Sequence, residues 1–86
     1  MKLVQLKLMV QDSLASRGLK DPAVRQNAME NIYKFMKADG GVFLDENGDV
    51  RLPSDAIVIR NAYRKYKGYE LNSAEKSVIN EMYRFV

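Results

Sequence analysis

Neither cysteine nor histidine occurs among the 86 residues of this chain, and that absence limits what can hold it together. No disulfide can staple the fold. A structural zinc site, which needs several Cys or His ligands, is excluded. Stability must come from apolar burial, in a chain that buries only about 60–65% of the surface its unfolded form exposes. A composition of 47% hydrophobic and 29% charged residues belongs to a globular protein, not a disordered or fibrous one. One domain spanning residues 1–86 is expected, since domains usually run to about 50–250 residues.

The missing histidine also removes the usual general base near neutral pH and every Ser-His pairing. No spacing among the carboxylates and lysines singles out a catalytic pair. The chain therefore reads as a non-catalytic binding domain with no cofactor, no metal and no small-molecule substrate. In the opening stretch MKLVQLKLMV, Gln5 and Lys7 interrupt the apolar run a signal peptide requires. That stretch is also far below the roughly 20 residues that span a bilayer. No membrane role is expected. A cysteine-free chain suits a reducing compartment, and the expected location is the cytoplasm.

Local punctuation divides the chain into helix, helix, hairpin, helix, helix. Leu3, Leu6, Val10 and Leu14 form one stripe at helical spacing, predicting a first helix from Leu3 to Arg17. Gly18 is then expected as a left-handed C-cap. Val4, Leu6, Leu8 and Val10 also alternate as a strand would. The helical pattern continues through Gln11–Arg17 without a turn signal, which favours the helix. Asp21 and Pro22 suit the cap and first position of a second helix. Its apolar stripe is Ala28, Met29, Ile32, Phe35 and Met36, its exposed pair Glu30 and Lys34, and its end Asp39-Gly40-Gly41.

In GVFLDENGDVRLP, Asn47-Gly48 is the preferred dipeptide of a two-residue type I′ hairpin turn. That turn pairs Phe43 with Leu52 and Asp45 with Val50, and directs Phe43, Val50 and Leu52 toward the helices. Asp45, Asn47 and Asp49 also resemble positions one, three and five of the calcium loop of EF-hands and dockerins. However, Val50 stands where the loop needs glycine, Ala56 where it needs a carboxylate, and Pro53 falls inside it, so no calcium site is expected. Ser54 or Asp55 caps a third helix running to Lys67, before Gly68. Asn72-Ser73-Ala74-Glu75 has the spacing of a capping box for a fourth, Ser73–Phe85, whose apolar stripe reaches Val86. The fold class is thus α-rich, with one β-hairpin inserted between helices two and three.

Charge is unevenly placed. Residues 1–50 carry seven basic and seven acidic residues, and residues 51–86 carry seven and four, so the net +3 belongs to the C-terminal part. IRNAYRKYKGY, residues 59–69, holds Arg60, Arg64, Lys65, Lys67 and the tyrosines Tyr63, Tyr66 and Tyr69, with no acid. Arg60, Arg64 and Lys67 fall at i, i+4 and i+7, an expected solvent-facing stripe. Such groups neutralise phosphates, and tyrosine rings can stack on unpaired bases. An acidic protein surface would suit the same stripe, whereas an ordinary solvated helix face would also be charged. The connection to the fourth helix is long for a helix-turn-helix, and Glu75 and Glu81 suit a major groove poorly. The expected partner is an anionic macromolecule, nucleic acid or acidic protein, at Arg60, Arg64, Lys65, Lys67, Tyr66 and Tyr69.

The first helix supplies the alternative. Leu3, Val4, Leu6, Leu8, Met9 and Val10 cover more of its circumference than one packing face needs. A protein interface at Leu3, Val4, Leu8 and Met9, with a partner or a second copy in a homo-oligomer, is the competing expectation. A chain this short would then suit a small regulator, inhibitor or accessory protein of phage or plasmid type. Met9, Met29, Met36 and Met82 read most simply as core filler.

Overall fold

The structure, a computed structural model, describes residues 1–38 and 41–86. Four helices lie among them: α1 (Leu3–Arg17), α2 (Pro22–Lys37), α3 (Ala56–Lys67) and α4 (Ser73–Met82). In α1 the residues Leu3, Leu6, Val10 and Leu14 are buried, so the helical period prevails over the strand-like alternation at its start. Its end differs from expectation. Gly18 has φ 160°, not the left-handed value expected, and the Leu14 carbonyl accepts both Gly18 N–H (3.2 Å) and Leu19 N–H (3.0 Å). The helix closes on that shared acceptor without a left-handed step.

The remaining caps follow the side chains that supply them. Asp21 accepts from Ala23 N–H at 3.0 Å and Asp55 from Ile57 N–H at 3.0 Å, each satisfying a helix donor that would otherwise face water unpaired. Gly68 ends α3 at φ 83°, where a side chain would be strained. Asn72 and Glu75 form the reciprocal capping box of α4, at 2.8 and 2.9 Å. This helix stops at Met82, short of Phe85, and Tyr83, Arg84 and Phe85 continue in tighter turns bonded to carbonyls three residues back. Val86 is exposed, so the apolar stripe does not reach the last residue. Of the expected end of α2, Asp39 and Gly40 lie outside the described residues; Gly41 follows at φ 67°.

Helices α1, α2 and α4 pack against one another, and α3 lies on α2 and α4 without touching α1. The core is made of Leu6, Val10, Met29, Ile32, Met36, Ile59, Val78, Ile79 and Met82, each essentially without solvent contact. Each such side chain contributes about 1.5–3 kcal/mol by leaving water. Three of the four methionines expected as filler are there, while Met9 is exposed. Phe35, expected in the buried stripe of α2, is half-buried at its edge. Glu30 pairs with Lys7 of α1 at 2.6 Å, not with Lys34 in its own helix, because packing brings α1 beside it.

The segment between α2 and α3 departs most from expectation. No strand forms among the described residues; pairing is reduced to the isolated antiparallel bridges Leu44 with Val50 and Lys2 with Asp49. Val50 thus stands opposite Leu44, not Asp45, a register one residue away from the expected one. The cause is Asp45, whose carboxylate accepts from Asn47 N–H and Asp49 N–H, both at 2.9 Å. That makes Glu46-Asn47-Gly48 a three-residue turn closed by Asp45 N–H on the Asp49 carbonyl at 2.8 Å, with Gly48 at φ 79°. The carboxylate Asp45 would offer a cation is committed to this turn. Backbone hydrogen bonds also hold the segment to the N-terminus, Val50 N–H donating to the Met1 carbonyl at 2.8 Å. Phe43 and Val50 are buried and Leu52 half-buried, so the apolar side still meets the helices.

This arrangement makes the two sides of α1 distinguishable. Leu6→Ala should cost about 2–5 kcal/mol of stability as a core truncation. Leu8→Ala, on a side chain 59% exposed, should change it by no more than about 0.5 kcal/mol. Denaturant midpoints of the two variants check this, and equal losses would contradict it.

Candidate functional site

The basic segment of α3 does not present a single cationic stripe. Lys67 turns inward: its side chain is 7% exposed, and its ammonium group is paired with the carboxylate of Glu75, itself 2% exposed. Glu75 is the third residue of α4, placed under α3 by the capping box that Asn72 starts. Its carboxylate accepts from Lys67 Nζ, from the Tyr63 hydroxyl and, at 2.9 Å, from Asn72 N–H. The Lys67 ammonium also sits 4.1 Å from the ring centre of Tyr69 and 5.1 Å from that of Tyr63. Expected as a solvent-facing partner contact, Lys67 is instead a buried structural cation, because it lies one turn beyond Tyr63 on the side that meets α4.

Arg60 is half-buried and donates to the Asn80 side chain of α4 at 2.5 Å. Arg64 is half-exposed, with Glu70 at 3.4 Å. Lys65 is exposed and has no ion-pair partner among the described residues. Of the six residues expected at the anionic contact, Arg64, Lys65, Tyr66 and Tyr69 are on the surface, Arg60 is tethered and Lys67 is withdrawn.

What the sequence did not show is what lies beside them. Tyr66 packs its ring 5.2 Å from that of Phe35, and Phe35 lies 5.9 Å from Phe43. These rings border an open groove of about 450 Å³ between α2 and α3. Ala38 and Val42 complete it on the α2 side, and Ala62 and Lys65 on the α3 side. Among the described residues Lys65 is the one charged side chain lining it. On the other side of Tyr66 a smaller cleft of about 140 Å³ is lined by Asn31, Lys34, Lys67 and Tyr69 as well as Tyr63. Lys34 of α2 is exposed and adds a cation that the reading of α3 alone had missed. Its signal lay in another helix, three residues from Lys37, and only the packing of α2 on α3 brings it here.

The alternative surface on α1 divides in the same way. Val4, Leu8 and Met9 are exposed, whereas Leu3 is buried in the core and cannot serve a partner. Its position at the start of the stripe continued by Leu6, Val10 and Leu14 is the reason. No group of three or more acidic, His or Cys residues able to hold a metal occurs among the described residues. Nor is any helix there long and apolar enough to cross a membrane.

The chain finds no match among protein-family models, curated proteins or solved structures. Its possible roles are therefore read from this geometry alone.

The buried network gives a pH dependence whose direction follows from its parts. Burial by itself pushes the Glu75 carboxyl up, but the hydrogen bonds from Lys67, Tyr63 and Asn72 outweigh it and hold the group below its ordinary 4.5. Glu75 therefore stabilises the fold fully above about pH 4.5, and that contribution is lost as pH falls through the lowered value. Burial first, and the Glu75 hydrogen bond second, push the Tyr63 hydroxyl far above its ordinary 10.0. Its contribution is complete below about pH 10 and lost as pH rises beyond it. Stability should thus be level from about pH 5 to 9 and fall on both sides. Glu75→Gln should lower the plateau by about 3–5 kcal/mol by leaving Lys67 without its counter-charge, and should flatten the acid limb. Tyr63→Phe should flatten the alkaline limb and, by removing one donor to Glu75, shrink the acid limb as well. Unfolding curves across pH check both; an acid limb unchanged in Glu75→Gln would contradict the assignment.

Proposed function

We propose that this chain is a non-catalytic binding domain that contacts an anionic macromolecular surface through the outer face of α3, with Arg64, Lys65, Tyr66 and Tyr69 as contacts and Lys34 of α2 beside them. The observation that carries this reading is the exposed Lys65–Tyr66 pair at the mouth of an open groove whose described lining contains no acid. Several other cations are already engaged. Lys67 faces Glu75, Lys7 faces Glu30, and Arg17 and Arg84 face Glu81 at 3.6 and 3.0 Å. Lys34 of α2 and Lys65 of α3 are exposed and have no ion-pair partner among the described residues. With no cysteine to oxidise, the domain suits the cytoplasm.

Fluorescence anisotropy with labelled polyglutamate and labelled oligo(dT), at low and physiological salt, tests this. Wild type should bind at least one of them, more weakly as salt rises. The double reversal R64E/K65E should weaken that binding by about tenfold or more, a loss typical of removing central contacts. Both side chains are exposed, so each change should alter stability by only about 0.5 kcal/mol. Wild-type binding to neither probe, or a double reversal that binds as well as wild type, would overturn the reading.

A second reading is supported by the outer side of α1, where Val4, Leu8 and Met9 leave an apolar strip in water. On this reading α1 meets a second copy or a regulated protein, and the cations of α3 only keep the chain dissolved. Sedimentation over a range of concentrations should then show self-association that Leu8→Lys abolishes, whereas a persistent monomer would count against a second copy.

A further inference from the structure

We infer that the groove between α2 and α3 receives an acidic amphipathic segment of a partner protein, its apolar side chains seated between Phe35, Val42 and Tyr66 and a carboxylate placed on Lys65. The inference rests on the proposed anionic contact and narrows it to a polypeptide.

Phe35 and the buried Phe43 line the groove, and Val42, 74% exposed, stands on the α2 side. An apolar surface left this open is stabilised by an apolar occupant, about 25 cal/mol for each Å² removed from water. Val58, Ala62 and Tyr66 follow one another at i, i+4 and i+8 on α3, and Val58 and Tyr66 are each 49% exposed. Ala62 and Tyr66 line the groove and Val58 lies one turn before Ala62, so the apolar positions of α3 run about two turns, which matches apolar residues one turn apart on an incoming helix.

Charge chooses the partner. One cation, Lys65, lines the groove among the described residues, so the occupant gains from a carboxylate beside its apolar anchor. Nucleic acid fits less well, because every base brings a phosphate. Of the basic residues of α3, Lys67 is held by the buried Glu75 and Arg64 lies 3.4 Å from the exposed Glu70. One side of the Tyr66 ring is also occupied by Phe35, which limits base stacking.

A displayed library of random peptides of about 12 residues, a common helix length, tests this when selected on the wild-type chain and counter-selected on K65E and, separately, on V42E. Both positions are exposed, so both variants should remain folded, which circular dichroism verifies. Enrichment of sequences combining Asp or Glu with Leu, Ile or Phe one helical turn apart is expected. Such a peptide should lose about tenfold in affinity, the effect of a central contact, on K65E, on V42E, and on replacement of its own apolar anchors by Ser. Its amide shift changes should centre on Val42, Ala62 and Tyr66.

Other outcomes overturn the inference in distinguishable ways. If polyglutamate binds as tightly as the selected peptide, the anionic contact stands but the groove is not its seat. Tighter binding of oligo(dT), lost in K65E, makes the ligand nucleic acid. Sequences enriched without acids remove this inference alone, while a library with no enrichment over the variants, when neither anionic probe binds, removes the anionic reading as well. Concentration-dependent self-association abolished by V42E would make the occupant a second copy of the chain.

Discussion

Glu75 enters the interior as the third residue of α4, where its backbone N–H is capped by Asn72 and its carboxylate accepts from Asn72 N–H, Tyr63 and Lys67. A carboxylate 2% exposed is costly unless its lone pairs are filled and its charge is met. Here both conditions are met, and the two side-chain donors, Tyr63 and Lys67, belong to α3. Helix α3 makes no contact with α1 and has only two fully apolar buried residues of its own beyond Ala56 and Ala62 at its edge, Ile59 and the ring of Tyr63. Its rotation about its own axis is therefore set as much by this polar cluster as by packing. With Tyr63 and Lys67 turned in, Lys65 and Tyr66 are turned out and Ala62 is left at the rim of the groove.

The same cluster redistributes charge. A sequence carrying a net +3 in its C-terminal part suggests a broadly cationic face. Folding narrows it, because Glu75, Glu81 and Glu30 each take up a basic residue from another part of the chain. Glu81 is held by Ser13 Oγ at 2.7 Å as well as by Arg17 and Arg84, so its partners come from both α1 and the C-terminal turn. What is left at the surface between α2 and α3 is a small number of cations beside aromatic rings, suited to a local contact more than to an extended polyanion.

The helices were legible because their signals are local. Asp21-Pro22, Asp55, Gly68 and Asn72-x-x-Glu75 act within a turn of themselves, and the apolar stripe of α1 declared its buried side. The register of residues 43–52 was misread because Asn47-Gly48 argues for one turn and the Asp45 carboxylate for another, and the side chain prevailed. Lys67 was assigned to the wrong side because its spacing fits two faces equally: seven residues after Arg60 and four after Tyr63. Only the position of Glu75, in another helix, decides between them. The groove was not legible at all, since its walls come from α2, the following loop and α3, and no periodicity within one segment reports their separation.

If the buried pair sets the orientation of α3, its two members must depend on each other energetically. A double-mutant cycle over Lys67→Met and Glu75→Gln, read from denaturant unfolding at neutral pH, measures that dependence directly. The double variant should be more stable than the sum of the single losses implies, by about 1–3 kcal/mol, since each single change strands a buried charge that the double change removes. Losses that add to within about 0.5 kcal/mol would contradict it and leave the outward face of α3 without the anchor described here.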